Sequence, residues 1–372
     1  VKIPIQNVYY LLCFAWKYAP QELAFDVGSI PANSDILDLC SYVLVSGMDY
    51  LFRRGLDRGY LLHVEETSVL KGRIDFTATI RRKRHATTRA VCQFDDLNPN
   101  VLHNQIIRSC VWTLMRANRV SPELRAGLSA TFAKLSGVDA IRVTTSDFRR
   151  VQLHRNNRYY AFLLFICRLV YSLKMPDQGA EGSSQFNDLL SDEALMAHVF
   201  EEFLRNFYIQ KQSEFNEVGV SYLKWNATAK NVEDLKLLPR MQTDITMRSG
   251  NRTIIIDAKY YKNALQEHQG AAKAHSENLY QLLAYLRAES SRNFSIRPEG
   301  MLIYPVAENA FSASFTIDGY PIKLFTLDLN QHWGKIEKDL LSLIVPEPWV
   351  EGAPSESIGR TVLETVPRLS VY

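Results

Sequence analysis

Cysteine is scarce in this chain and shows no pairing: the five residues, at 13, 40, 92, 110 and 167, form no CxxC and are odd in number. A disulfide framework is therefore excluded, and buried thiols in a reducing compartment are expected. No HExxH helix and no paired Cys/His spacing is present, which argues against zinc. The Gly334-Lys335 pair lacks the upstream glycine and the following Ser or Thr of a phosphate-binding loop. The chain is not expected to bind a nucleoside triphosphate by itself. Long apolar runs are missing as well. The longest, Tyr159 to Leu173, is interrupted by Arg168 and is too short to span a bilayer. Leu11 to Trp16 is shorter still, lacks a small-residue cleavage site, and reads as a core helix. What remains is ordinary: 372 residues, 47% hydrophobic and 22% charged, enough for two or three soluble, cytoplasmic domains.

The net charge of +3 is unevenly spread. Residues 1–150 hold 20 Lys and Arg against 14 Asp and Glu, and the remainder 23 against 26. Seven basic residues fall between Lys71 and Arg89. Such a cluster suits phosphates or an acidic protein surface, and equally a solvated hairpin tip.

Local signals order the chain. Asn7 is expected to cap a helix over Val8–Tyr18, and Ser34 or Asp35 a second one to about Phe52. Strands are expected at Tyr60–Glu65, Leu70–Thr77 and Ala90–Phe94, then helices over Val101–Met115, from Ser121-Pro122-Glu123, and over Tyr159–Leu173. The polar, Gly/Pro/Ser-rich stretch after Met175 is a linker. Beyond it come a helix striped by Leu195, Met196, Val199, Phe200, Phe203, Leu204 and Phe207, and a strand near Val218–Leu223. A hairpin, a helix at Glu277–Arg287, three strands (Met301–Tyr304, Ala313–Ile317, Ile322–Leu327) and a helix at Trp333–Ile344 follow. The pattern predicts an α/β (α+β) fold with a mixed sheet and helices packed on it. Its expected divisions are an N-terminal domain at 1–174 with a β-rich finger at about 60–95, a linker at 175–190, a second domain at 191–345 and a tail at 346–372.

The hairpin carries the chemistry. Two β-prone runs flank Gly250-Asn251, a dipeptide suited to a two-residue primed turn. Pairing Ser249 with Arg252 and counting outward sets Asp244 opposite Asp257. Carboxylates facing each other across a ladder are destabilising unless a cation lies between them. Lys259, two residues on, points to the same side. The run Ile254-Ile255-Ile256 marks a strand buried to its end, where open α/β sheets place their sites. A lone Asp-x-Lys is usually a surface ion pair; the register-matched second aspartate favours a metal site. Magnesium fits the hard oxygens of Asp244, Asp257 and the Ala258 carbonyl. Lys259 would orient a nucleophilic water or stabilise the pentavalent phosphoryl state. That chemistry is phosphodiester hydrolysis.

The Asp…Asp-x-Lys spacing after a helix with an embedded Glu resembles the PD-(D/E)xK nuclease superfamily. Gln281 and Tyr285, four apart on one helical face, match the Gln-x-x-x-Tyr motif of its RecB-like branch. Four blocks, in order, resemble the McrC family, the endonuclease subunits of McrBC modification-dependent restriction systems. They are Ile3 to Leu12, Lys71 to Phe76, Asp257 to Lys262 and Asn278 to Leu282. The resemblance runs from about Ile3 to Ile344. It implies a C-terminal nuclease domain with Mg²⁺ at Asp244 and Asp257, and Lys259 as catalytic lysine. It implies Glu201 as the upstream helical acid, with Glu202 the neighbouring alternative. Thr243 stands where the superfamily has its proline, a departure the chemistry tolerates because the carboxylate does the work.

The resemblance further implies a hexameric AAA+ GTPase partner, McrB, which binds the GTP and reads modified cytosine in double-stranded DNA. The N-terminal domain of this chain would enter the ring and stimulate hydrolysis, with Arg73, Arg81, Arg82 and Arg84 as candidate contacts. Pairing of two complexes would allow both strands to be cut, in the bacterial cytoplasm. Two other readings stand beside this one. One is a non-catalytic GTPase-activating adaptor with a vestigial nuclease fold, which ought to have lost one of the three site residues. The other is a repair or transposition nuclease, which the N-terminal blocks disfavour.

Overall fold

The computed structural model describes residues 3–16, 30–31, 34–82, 89–155, 157, 159–174, 186, 189–261, 265–268, 271–292, 294–306 and 310–346. Helix α1 (Ile5–Ala15) starts before Asn7, which does not cap it. The Asn7 amide instead donates to the carbonyls of Leu329 and Gln331, at 2.9 and 2.8 Å. Helix α2 (Ile36–Arg54) begins where expected, with the Asp35 carboxylate accepting from the Leu37 N–H.

The finger follows. Strands β1 (Gly59–Thr67) and β3 (Ala90–Asn98) pair antiparallel along their whole lengths. Of the strand expected over Leu70–Thr77, only β2 (Arg73–Ile74) forms, against β3. Asp75 ends it: its side chain accepts from the Ala78 N–H and its carbonyl from the Thr79 N–H, opening helix α3 (Phe76–Arg82). Local capping beats the β-propensity of Phe76 and Thr77.

Helices α4 (Leu102–Met115), α5 (Pro122–Lys134), α6 (Thr145–Arg150) and α7 (Tyr160–Leu173) complete the N-terminal part. Helices α2, α4, α5 and α7 pack together. All five cysteines are free and buried, as the sequence leads one to expect. The linker expected at 175–190 lies mostly outside the described residues, as does the tail.

Helix α8 (Glu193–Lys211) buries its predicted apolar stripe apart from Leu195, which is half-buried. Strands β4 (Glu217–Gly219), β5 (Tyr222–Leu223), β6 (Met241–Gln242), β7 (Ile245–Arg248) and β8 (Thr253–Ala258) come next. A short hairpin, β9 (Leu265–His268) and β10 (Ala271–Ala274), precedes α9 (Ser276–Arg292), β11 (Glu299–Pro305), β12 (Ser312–Ile317), β13 (Tyr320–Leu327) and α10 (Trp333–Leu343). The main sheet is mixed, in the order β12-β13-β11-β8-β7-β4, with β11 parallel to both β8 and β13. The single strand expected at Val218–Leu223 is two: β4 joins this sheet, while β5 pairs with β6.

Alternation along β8 sets the two faces. Ile254 and Ile256 join the large core with α1, α8 and α10. Ile255 joins the smaller core beneath α9, and Asp257 has the same parity. Helix α9 comes so close to β11 that a Cβ on Gly300 would meet Leu282 and Leu286 at 2.9 Å. Among the described residues, no helix is long and apolar enough to cross a membrane.

Candidate active site

The hairpin register is the one counted from the turn. Arg248 faces Thr253, Met247 faces Ile254, and Ile245 faces Ile256, with the Ser249 N–H donating to the Arg252 carbonyl at 2.8 Å. The ladder ends at Ile245 and Ile256, and Asp244, one residue before it, still reaches the end of β8 through its side chain. The turn itself differs from expectation: neither Gly250 nor Asn251 has a positive φ, so it is not primed. The large core holds the register instead: a one-residue slip would turn Ile245, Met247, Ile254 and Ile256 out of it and toward the smaller core beneath α9.

Asp244 and Asp257 are unequal. Asp244 Oδ2 accepts the Ala258 N–H at 2.8 Å. Asp257 is fully buried, and no hydrogen-bond donor is aimed at either of its oxygens. Lys259 Nζ lies 2.9 Å from Asp257 Oδ2 as an ion pair, off the direction a hydrogen bond requires. Burial, and then the charge of Asp244, pushes the Asp257 carboxyl up to about 7, against the opposing pull of Lys259. Burial raises Asp244 too, with the Ala258 N–H, Lys259 and Arg205 opposing it. For Lys259, burial works against the ammonium, but Asp257 and Asp244 outweigh it and its pKa rises.

Helix α9 supplies the other side. Lys259 Nζ donates to Gln281 Oε1 at 3.0 Å, and Gln281 Nε2 donates to the Tyr285 hydroxyl at 2.8 Å. Gln281 thus meets the lysine directly and Tyr285 holds Gln281 from behind, so the motif fixes where the ammonium sits.

The helical acids approach from α8. Glu201 is raised by burial and then by the charge of Asp244. Its charge in turn raises Asp257. Glu202 faces elsewhere: its Oε2 accepts from Asn206 Nδ2 at 3.3 Å, and the same amide donates to the Ala15 carbonyl at 3.0 Å. Of the two alternatives, Glu201 is the one that shares the field of the aspartates. Arg205, which the sequence reading passed over, bonds both glutamates and the Asp244 carbonyl. Its spacing of three and four from the glutamates was the available signal.

Two carboxylates and a backbone carbonyl suit a hard divalent cation, and the one ammonium beside them leaves the buried Asp257 carboxyl still raised by burial and by Asp244. Among the described residues, no group of three or more His, Cys, Asp and Glu side chains is gathered to hold an ion. Glu201 therefore stands near the aspartates without joining them in a cluster.

On the finger, Arg73 and Arg81 are exposed. Of Arg82 only the backbone is described, and Arg84 lies outside the described residues. The finger's main surface was not anticipated. Tyr60, Leu62 and Val64 on β1, and Phe76 and Ile80 on α3, are each more than half exposed. The period-two apolar residues of β1 were the signal in the sequence that could have marked this face.

A profile of the family described as "McrBC 5-methylcytosine restriction system component" matches residues 6–305. The chain is 35% identical over 347 residues, 92% of its length and 97% of the relative's, to "Type IV methyl-directed restriction enzyme EcoKMcrBC" of Escherichia coli (strain K12). Among solved structures, it is similar to a chain in a half-complex from a tetradecameric assembly of Thermococcus gammatolerans McrB AAA+ hexamers with bound McrC. The TM-score is 0.55 and the identity 18%, over 91% of this chain and 76% of that one. At that identity the likeness speaks to the fold alone.

Proposed function

The chain belongs to the family of McrBC 5-methylcytosine restriction system components, and from that premise we propose that it is the DNA-cleaving subunit of such a system. It hydrolyses phosphodiesters with magnesium at the Asp244–Asp257 pair. One observation carries this reading: a fully buried carboxylate, Asp257, lies near a second carboxylate, Asp244, with the Lys259 ammonium 2.9 Å away as its counter-charge, and its carboxyl is still pushed up to about 7. A surface ion pair would be solvated. This arrangement is costly unless a cation offsets it.

Asp244, Asp257 and the Ala258 carbonyl are the groups that would hold the ion. When bound, magnesium supplies Lewis-acid charge that offsets the build-up on a phosphoryl oxygen. Lys259, kept protonated by the aspartates and anchored by Gln281, presents a preorganised positive charge to the attacking water or the phosphate. Tyr285 braces Gln281. Glu201 adds negative charge from the α8 side, where it strengthens the pull on a cation.

The partner is a hexameric AAA+ protein, as the McrB hexamers are for bound McrC in the Thermococcus assembly, and it is the GTPase of the system. The GTPase would bind the GTP and select double-stranded DNA carrying modified cytosine. The exposed apolar side chains of the finger support a protein partner, since such a patch is covered in a stable assembly. Arg73 and Arg81, exposed on the same finger, are the candidates to act on the GTPase.

The test is cleavage of methylated and unmethylated DNA, with and without the GTPase partner, GTP and Mg²⁺. Asp257→Ala and Lys259→Ala should each lower cleavage by at least about 10²-fold and leave GTPase stimulation intact. Unchanged cleavage would reject the site. Loss of both activities in a folded variant would reject the division of labour, and cleavage absent from the wild type under every condition would favour the adaptor.

A further inference from the structure

Arg205 belongs to no motif that points to the site, yet it touches both elements that build it. Its Nε donates to the Asp244 carbonyl at 2.9 Å, one guanidinium nitrogen donates to Glu202 Oε1 at 2.7 Å, and the other pairs with Glu201 Oε1. The side chain is only 13% exposed. We propose that Arg205 is a positioning residue for the nuclease site, locking the acid of α8 and the acid that precedes β7 into one arrangement through a single guanidinium. The inference rests on the metal reading above and deepens it.

An ordinary helical Glu–Arg pair has two partners on one helix, is solvated, and does little. Here the third contact leaves the helix. It reaches the main chain at Asp244, one residue before the β7 ladder begins at Ile245, where pairing with β8 no longer fixes the backbone. A planar fork of five N–H donors holds three acceptors in one plane at set angles, whereas an ammonium's three donors rotate on a flexible stem and set no such plane.

The charge argument agrees. Burial and then the charge of Asp244 raise Glu201, burial raises Asp244, and the guanidinium opposes the rise in both. The network also extends away from the site. Glu202 passes to Asn206, and Asn206 to the carbonyl of Ala15 at the last turn of α1. Arg205 is therefore held from behind by the first helix, as a group must be if it is to fix others.

The experiment uses the full chain. Mn²⁺ is titrated calorimetrically into wild type, Arg205→Ala, Arg205→Lys and Asp257→Ala without DNA or partner, and the Mg²⁺ midpoint of cleavage is then measured in the assembled complex. Arg205→Ala should weaken Mn²⁺ by roughly 10- to 100-fold and raise the Mg²⁺ midpoint to match. Arg205→Lys should recover only part of the loss, and GTPase stimulation should persist in both. Wild-type Mn²⁺ affinity in Arg205→Ala overturns the proposal. If that variant does not fold, Arg205→Lys decides: wild-type affinity there overturns it too. Asp257→Ala binding Mn²⁺ as tightly as wild type would instead fail the metal reading itself, and the proposal with it.

Discussion

At the scale of the residue, Asp257 is the most informative group. A carboxyl pushed up to about 7 is neutral when the protein folds in mild acid and must ionise inside the fold at higher pH. The folded pKa exceeds the unfolded one, so its contribution to stability is full below about 4 and is lost as pH rises through about 7. In EDTA, the melting temperature should therefore fall between pH 5 and pH 8 (on the order of the shift's own range,), and Asp257→Asn should flatten that slope. An unaltered slope in the variant would place the effect elsewhere. Divalent ions should stabilise the wild type most at the alkaline end, where the carboxylate is free to bind them. The helical acids make a second residue-scale prediction. Glu201→Gln should impair cleavage more than Glu202→Gln, since only Glu201 shares the field of the aspartates; equal losses would leave the two indistinguishable. The sequence located Asp244, Asp257 and Lys259 because strand alternation is strict. It could not rank Glu201 over Glu202, because two adjacent helical residues at the edge of one stripe differ only in what stands opposite them.

At the scale of the element, the turns show which local rules held. Asp318-Gly319 forms the primed-type turn that Gly250-Asn251 was expected to form, with φ of 52° and 79° and Ile317 paired to Tyr320. Both hairpins keep their register. In β7–β8 the buried isoleucines and methionine set it, so the turn is free to take another shape. Asp75 illustrates the converse, a short polar residue whose hydrogen bonds cut a strand short and begin a helix. Packing of α9 on β11 gives the element-scale prediction. Gly300→Ala should cost about 1–3 kcal/mol, read by urea denaturation, because the added methyl must displace Leu282 and Leu286. Since α9 also carries Gln281 and Tyr285, cleavage should drop more than GTPase stimulation. A neutral substitution would mean the two leucines yield freely.

At the scale of the whole molecule, the first helix is the surprise. Sequence order places α1 in the N-terminal part, yet it packs on α8. Tyr10 stacks on Trp333 at 4.7 Å, and Asn7 bonds two carbonyls more than 300 residues away along the chain. Asn7→Ala should destabilise the protein by about 1–3 kcal/mol in denaturant, with a loss confined to stability if the amide is purely structural. The finger makes the opposite kind of prediction. Leu62→Glu on its exposed strand should leave the melting temperature within about 1–2 °C, as surface changes generally do, while weakening association with the GTPase in a pull-down of the purified partners. Intact association would move the docking surface elsewhere.

Most helices and strands, the mixed sheet, the buried thiols and the register of the β7–β8 ladder were determined by the sequence alone. Each depends on a short-range rule: a period of 2 or 3.6, a cap, or a count outward from a turn. Only the tertiary structure decided that α1 closes over α8, that Arg205 spans the gap between helix and strand, and that the finger's apolar strand faces outward. Those outcomes depend on which surfaces meet across long stretches of chain, and periodicity marks an apolar face without naming what will cover it.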